Sequence, residues 1–430
     1  MMGTKEELLH YVWKYKLLPP SSLKTIEGQK VEVIDPGMHN SDAGPDFFNA
    51  KVKIGDKVWA GNVEIHRSSD EWVKHGHQND KAYNSVILHL SERVNALVTN
   101  QRGLRIPQCL IIVPENIRNN ADYLLFSRSQ IPCKKFLSTL PVPMLSSYLS
   151  ALSVERLERK INDIYVHLER FSHSWDEVFY VLLTRNFGFG LNTVEFENLA
   201  LSLPFRYILR HNDNLFQVEA LMFGQAGMLE DDRLDDNYYN RLQKEYSFLK
   251  AKYKLKNRQG FLFKSMRARP RSFPQIRIAQ LAALLQQSGR LFSLILENEE
   301  LHQLRALFQA DPSDYWKTHY SFGKTSPKSG KQLGKASQNI LLINTVAPLL
   351  FAYGKKTDTT TYCDRAIHLL ESMKPERNNV VDEFAGTGIV PRHALDSQAL
   401  IQLRKEYCDT RKCLYCRIGH RLLTTVHDGK

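Results

Sequence analysis

Residues 42–90, DAGPDFFNAKVKIGDKVWAGNVEIHRSSDEWVKHGHQNDKAYNSVILHL, constrain the fold of this 430-residue chain more than any other stretch. Runs rich in Val, Ile, Phe and Trp, broken at Gly55-Asp56, read as strands at 46–54 and 58–66 joined by a tight hairpin. Further strands are expected at 31–35, 84–90, 94–99 and 104–113, with Gln101-Arg102-Gly103 as a second loop and Pro107 at an edge or bulge. Onto this strand-rich segment fall Asp46, Glu64, His66, His75, His77 and His89. Asp, Glu and His are the donors a divalent cation needs, and a cation with an open position activates water.

Side chains alternate faces along a strand, so Asn62, Glu64 and His66 project together while Val63 and Ile65 bury behind them. Asp46 reaches that face on one condition. A two-residue loop pairs Ile54 with Lys57 and leaves Asp46 opposite Ile65, on the wrong side. A three-residue loop, or one bulge such as at Gly61, corrects the parity. An acidic site here therefore predicts an irregular hairpin.

The chain carries a formal net charge of +12, which raises the local concentration of polyanions and makes DNA or RNA a fair partner. The charge concentrates at 241–271. Lys250, Lys252, Lys254, Lys256, Arg258, Arg267, Arg269 and Arg271 are the candidate phosphate contacts, interleaved with Tyr246, Phe248, Tyr253, Phe261 and Phe263. Cations and rings in that mixture suit a single strand, while a solvated helix face with its rings in the core is the plainer alternative. Eighteen consecutive apolar residues occur nowhere and the N-terminus lacks a secretory h-region, so no membrane is expected. Six cysteines in so long a chain are no disulfide framework, and a cytoplasmic location follows as the expectation.

Residues 5–16 read as a short helix. Beyond about residue 114 the period becomes helical, with amphipathic segments near 144–171, 175–186, 215–223, 238–255, 275–297, 337–353 and 391–406. The polar stretch 322–336 reads as a mobile loop. The fold class is α+β: a mixed-sheet domain over 1–130, then a large all-α domain over 131–430.

That second domain ends in EYCDTRKCLYCRIGH, with Cys408, Cys413 and Cys416. Two thiolates on one Cys-x2-Cys turn reach one metal, and the fourth ligand is Cys133 or His420. A structural zinc ion is expected first, an iron–sulfur cluster second.

Pro45-Asp46 followed by Glu64-Ile65-His66 on adjacent strands resembles the PD-(D/E)XK, restriction-endonuclease-like nuclease superfamily, over about the first 115 residues. The resemblance implies that Asp46 and Glu64 hold Mg2+ or Mn2+, with Glu7 or Glu32 as an upstream acid. His66 stands where that family has lysine. A side chain mostly neutral at pH 7 serves as ligand or base rather than fixed cation, and the choice leans towards Mn2+ or Zn2+. The stretch with His75, His77 and Asp80 is similar to the region after the catalytic strand in the mismatch-repair-type branch, implying ligands or orienting groups. A second resemblance spans nearly the whole chain. DAGPDF, GNVEIH, HGHQNDKAYNSVILHL, NFGFGLN, EALMFGQAGML, SDYWKTHYSFG and YCDTRKCLYC resemble an uncharacterised bacterial family known as domain of unknown function 2851. It implies one integral architecture and no particular activity. The expected function is a metal-dependent nuclease or nuclease-like phosphodiesterase acting on DNA or RNA. The alternative is a non-catalytic nucleic-acid-binding or scaffolding protein with a degenerate nuclease fold. No glycine-rich phosphate loop and no G-x-S-x-G elbow occurs.

Overall fold

Phe47, Ala50, Val52 and Ile54 with Val63 and Ile65 bury one face of a hairpin whose tip at 57–60 stays exposed, and the rest of its sheet assembles around it. The computed structural model describes residues 6–19, 22–256, 263–265 and 269–425. Strands β1 (Val31–Asp35), β2 (Met38–His39), β3 (Phe47–Ile54), β4 (Lys57–Ser68), β5 (Val86–Arg93) and β6 (Gln108–Leu110) form a six-stranded mixed sheet. Its order is β1-β3-β4-β5-β6, with β2 on the outer part of β3. The pairs β1/β3 and β3/β4 are antiparallel; β4/β5 and β5/β6 are parallel. Helix α1 (Glu6–Lys14) packs on β4 through Leu8, Leu9 and Val12, which are almost wholly buried. Three short pieces sit in the β4–β5 crossover: α2 (Glu71–Lys74) and 3-10 turns at His77–Asn79 and Lys81–Ser85. The sheet is followed by α3 (Glu115–Leu125).

The architecture is α+β, a mixed sheet followed by many helices, as the patterning predicts. Expected strands at 94–99 and 104–113 shrink to single bridges and the three-residue β6. Polar side chains explain the loss. Gln108 turns its amide to Val98 N–H and to the Ala96 carbonyl, taking over groups that a ladder would otherwise pair.

The chain divides into two compact units, Met1–Leu140 with Leu403–Lys430, and Pro141–Gln402. The Cys-rich end thus groups with the sheet and not with the helical part, in contrast to the division at 130/131. Leu422 O accepts from Asn120 of α3, and Arg411 bonds the carbonyls of Ser127 and Ser129.

In the second unit helices stand at Val142–Arg170, Trp175–Phe187, Leu215–Gln225 and Asn237–Tyr253 as expected, while the segment expected at 275–297 is broken into Pro274–Gln287 and Leu291–Glu297. Lys335–Lys356 is one continuous helical stretch, long and apolar enough to cross a membrane, with 67% of its apolar window buried in the protein. The stretch 322–336 is anchored rather than mobile: Lys331 and Leu333 are buried, and Gln280 donates to the Lys331 carbonyl at 2.6 Å. At the centre of this unit Glu219 is fully buried. It accepts from Ser313 Oγ at 3.1 Å, from Trp316 Nε1 at 3.2 Å and from the Tyr238 hydroxyl.

Two predictions follow from this packing. A Cβ on Gly224 would lie 2.1–2.3 Å from ring carbons of Tyr246. Gly224→Ala should therefore destabilise by about 1–3 kcal/mol through overpacking, against a helix-propensity gain of about 1 kcal/mol; urea unfolding would show a lowered midpoint at constant m. Burial pushes the Glu219 carboxyl up to about 7, its hydrogen bonds opposing but not cancelling this. A folded-state pKa raised above the unfolded value means stability present at low pH and lost as pH rises between about 4.5 and 7. Glu219→Gln removes that titration, and thermal melts across this range should be flatter than those of the unsubstituted chain.

Candidate metal centre

The hairpin turns on two residues, with Ile54 opposite Lys57. Pairing keeps this register to Ala50 opposite Gly61, then slips, so that Phe47 faces Val63. Phe48 and Asn49 together oppose Asn62, which is a bulge. Asn49 takes a φ of 56°, and its N–H donates to Asn62 Oδ1 at 3.2 Å. Asn tolerates the left-handed region better than most residues. The irregularity that the sequence required is present, one step away from the expected Gly61. Gly61 has a different duty: a Cβ there would stand 2.4 Å from Ile87 Cγ2, so it allows β4 and β5 to close.

Beyond the bulge Asp46 and Glu64 meet. Asp46 N–H donates to Glu64 Oε2 at 3.0 Å, and Ile65 N–H donates to Asp46 Oδ2 at 2.9 Å. Each carboxylate therefore holds the other residue's strand. On the far side, α1 brings His10 Nε2 to 3.3 Å from Asp46 Oδ2, with Glu6 Oε1 4.0 Å away. Burial and the neighbouring Asp46 push the Glu64 carboxyl well above the ordinary carboxylate range. Burial lowers His10, but Asp46, Glu6 and Glu64 outweigh it and the net shift is upward.

Glu64 Oε1 faces the other way, 3.4 Å from Nε2 of His66 and 3.4 Å from Nε2 of His77. His66, His75 and His77 each offer a ring nitrogen within 4.8 Å of the other two, the one such set among the described residues. Local sequence explains how a short crossover aims two rings back at β4. Trp72 is fully buried, its Nε1 donating to Thr99 O at 3.0 Å, and anchors α2. Gly76, at φ 78°, reverses the chain between His75 and His77. His77 is then stacked on Tyr83 with ring centroids 3.8 Å apart. His66 Nδ1 lies 2.9 Å from Nε2 of the buried His89. If His66 donates from Nδ1 to His89, its Nε2 presents a lone pair towards Glu64, the tautomer a metal ligand needs. Burial, then His77, lowers His66 to about 4; burial, then His66, lowers His89 to about 3; burial lowers His77 as well.

These observations test whether a cation fits. A Glu64 carboxyl that burial makes costly to ionise, and a His66 imidazole that burial keeps neutral, are donors whose electrostatics a divalent ion would reverse. His10 Nε2 is buried with no hydrogen bond of proper geometry. Three imidazoles with two carboxylates suit Zn2+ or Mn2+ better than Mg2+, which prefers oxygen and water. His75 is exposed and His77 half-buried, leaving the site open on one side.

Other expected residues stand elsewhere. Asp80 is exposed and caps the following 3-10 turn, accepting from Ala82 N–H at 2.8 Å. Glu7 lies on a surface groove beside Lys14 and Tyr415, and Glu32 is exposed on β1. The upstream acid near Asp46 is Glu6. A signal for it existed: Glu6 and His10 are four apart on a helix whose buried stripe is Leu8, Leu9 and Val12, so they share one flank. Of the rings in 241–271, Tyr246 is buried, Tyr253 stacks on Tyr207 and Phe263 meets Phe196, so these serve the core, while Phe248 is exposed. Lys252, Lys254, Lys256, Arg269 and Arg271 are exposed, Lys250 is half-buried, and Phe261, Arg258 and Arg267 lie outside the described residues.

The chain belongs to the family described as "Protein of unknown function (DUF2851)", whose model matches residues 6–379. The match takes in the whole carboxylate and histidine constellation. No curated protein and no solved structure matches the chain.

The bulge gives a direct test. Asn49 is exposed, so its replacement acts mainly through the backbone. Asn49→Gly should be nearly neutral. Asn49→Val, a β-branched residue at positive φ, should cost about 1–3 kcal/mol and weaken Mn2+ or Zn2+ binding measured by calorimetry. Equal behaviour of the two variants would show that the slip does not position Asp46.

Proposed function

We propose that this protein is a metal-dependent nuclease, or nuclease-like phosphodiesterase, acting on DNA or RNA. One observation carries the reading. Glu64 shares one carboxylate between Asp46 on one side and His66 and His77 on the other. A pair of strand-borne acids with a clustered imidazole set is what a hydrolytic cation site requires. Asp46, Glu64, His66, His75 and His77 would hold a divalent ion, which supplies activation of water and neutralisation of charge on a phosphodiester. His89 fixes the tautomer and ring plane of His66, and His10 orients Asp46.

Substrate contacts are supported by a groove on the same unit, lined by His10, Tyr11, Lys14, Tyr15, His39 and Tyr415. Tyr15 and Tyr415 are exposed there, the kind of rings on which bases stack, and Lys14 adds a cation for phosphate. Lys252, Lys254, Lys256, Arg269 and Arg271 of the other unit are exposed, and the net charge of +12 favours a polyanion generally.

The experiment is cleavage of labelled single- and double-stranded DNA and RNA with Mg2+, Mn2+ or Zn2+. Cleavage should prefer Mn2+ or Zn2+, and Glu64→Ala and His77→Ala should each reduce it by more than the ~10–100-fold that removing an outer-shell partner costs. Substrate binding that survives in the unsubstituted chain, with no cleavage under any metal, would instead support a non-catalytic nucleic-acid-binding role.

A further inference from the structure

We propose that Cys133, Cys408, Cys413 and Cys416 form a four-thiolate structural zinc site that clamps the C-terminal segment onto the sheet-bearing unit. The site is separate from the carboxylate and histidine centre, and the inference does not depend on the nuclease reading.

The four thiols come from three places in the sequence onto one compact unit. None is in a disulfide, and all are buried, at 8%, 5%, 8% and 6% exposure respectively. Burial first, then Cys416 and Cys413, raises the Cys133 thiol, and burial first, then Cys133, Cys416 and Cys413, raises the Cys408 thiol. Two arginines hold the backbone that carries them. Arg411 Nη1 donates to Cys408 O at 2.7 Å, and its Nη2 donates to Ser127 O and Ser129 O, each at 2.9 Å. Arg404 spans from Asp409 to Gln130. The loop before Cys133 is thereby fastened to the turn that carries Cys408. Cys413 and Cys416 bracket a single 3-10 turn, with Cys416 N–H on Cys413 O at 3.3 Å. That turn rests on the C-terminal helix Arg417–Thr424, where a Cβ on Gly419 would fall 2.0 Å from Cys413 O.

Of the two candidates for the fourth ligand, Cys133 follows the loop that Arg411 and Arg404 fasten to the turn of Cys408, whereas the His420 ring packs on Tyr15 with centroids 4.5 Å apart and its Nδ1 lies 2.8 Å from the Tyr11 hydroxyl. Cys133 is the fourth donor of the proposal. Four buried, unbridged thiols are a soft tetrahedral donor set, and with no open position they suit structural zinc. The binding energy of the ion contributes to folding of the segment. The segment carries Leu414 and Tyr415 into the wall of the groove beside His10. Losing the ion would therefore loosen that wall.

The test begins with a Glu64→Ala/His77→Ala chain, in which zinc at the other centre is removed. Metal analysis of protein purified after growth with zinc should find one zinc per chain. Titration with a mercurial should release that zinc as four thiols are modified in the folded protein, a readout that needs no cysteine variant. Cys133→Ser in the same background should lower zinc content at least tenfold and lower the Tm, with Cys408→Ser as the parallel variant should the first not fold. His420→Ala should keep the zinc. Zinc absent from the starting protein, zinc retained by Cys133→Ser, or iron with visible absorbance in its place would each overturn the assignment.

Discussion

Two backbone N–H groups set the geometry on which the candidate centre depends. Asp46 N–H binds Glu64, and Ile65 N–H binds Asp46, so each acidic side chain secures the other's strand. The exchange is possible because the ladder slips once at Asn49. Without the slip Asp46 would stand opposite Ile65, on the apolar face, where a carboxylate has no partner. One residue in the left-handed region thus determines whether two acids meet or are separated by the sheet.

The imidazole side of the centre is built differently. Its rings are held by packing: Trp72 under the crossover, Tyr83 stacked on His77, and His89 against His66. Gly76 supplies the reversal that points His75 and His77 to the same place. The result is a set of groups whose charges are poorly served by one another. Burial raises Glu64 and lowers His66, and the neighbours add to the first effect through Asp46 and to the second through His77. A divalent cation would satisfy all of them together, whereas a lysine at position 66 would satisfy only the carboxylates. Histidine in that place fits a site that takes its ligands from the crossover as well as from the strands.

Local signals carried a good part of this. Strand β1, the hairpin β3–β4, helix α1 and the long helices after residue 142 follow from periodicity and turn residues, because those patterns depend on near neighbours. The strands expected at 94–99 and 104–113 shrink to single bridges and the three-residue β6, because Gln108 spends its amide on groups a ladder would use. The stretch 322–336 is polar in composition yet pinned by Lys331 and Leu333, since one apolar residue and one aliphatic stem suffice to anchor a loop. The rings between the lysines of 241–271 were ambiguous in sequence. Packing against Gly224, Tyr207 and Phe196 assigned three of them to the core, which no local pattern could reveal.

By itself the sequence determined which residue types were present to do chemistry, and on which strand Glu64 and His66 would share a face. That property is local, since alternation along a strand needs no knowledge of the rest of the chain. It also determined that Asp46 could join them only through an irregular hairpin. Tertiary structure alone decided where the irregularity falls, that Glu6 and His10 are the helix residues that approach Asp46, and that the loop before Cys133 is fastened to the turn of Cys408 by Arg411. These are contacts between segments far apart in the chain. Their energies come from burial and from backbone groups that must find partners, and neither is visible until the segments are brought together.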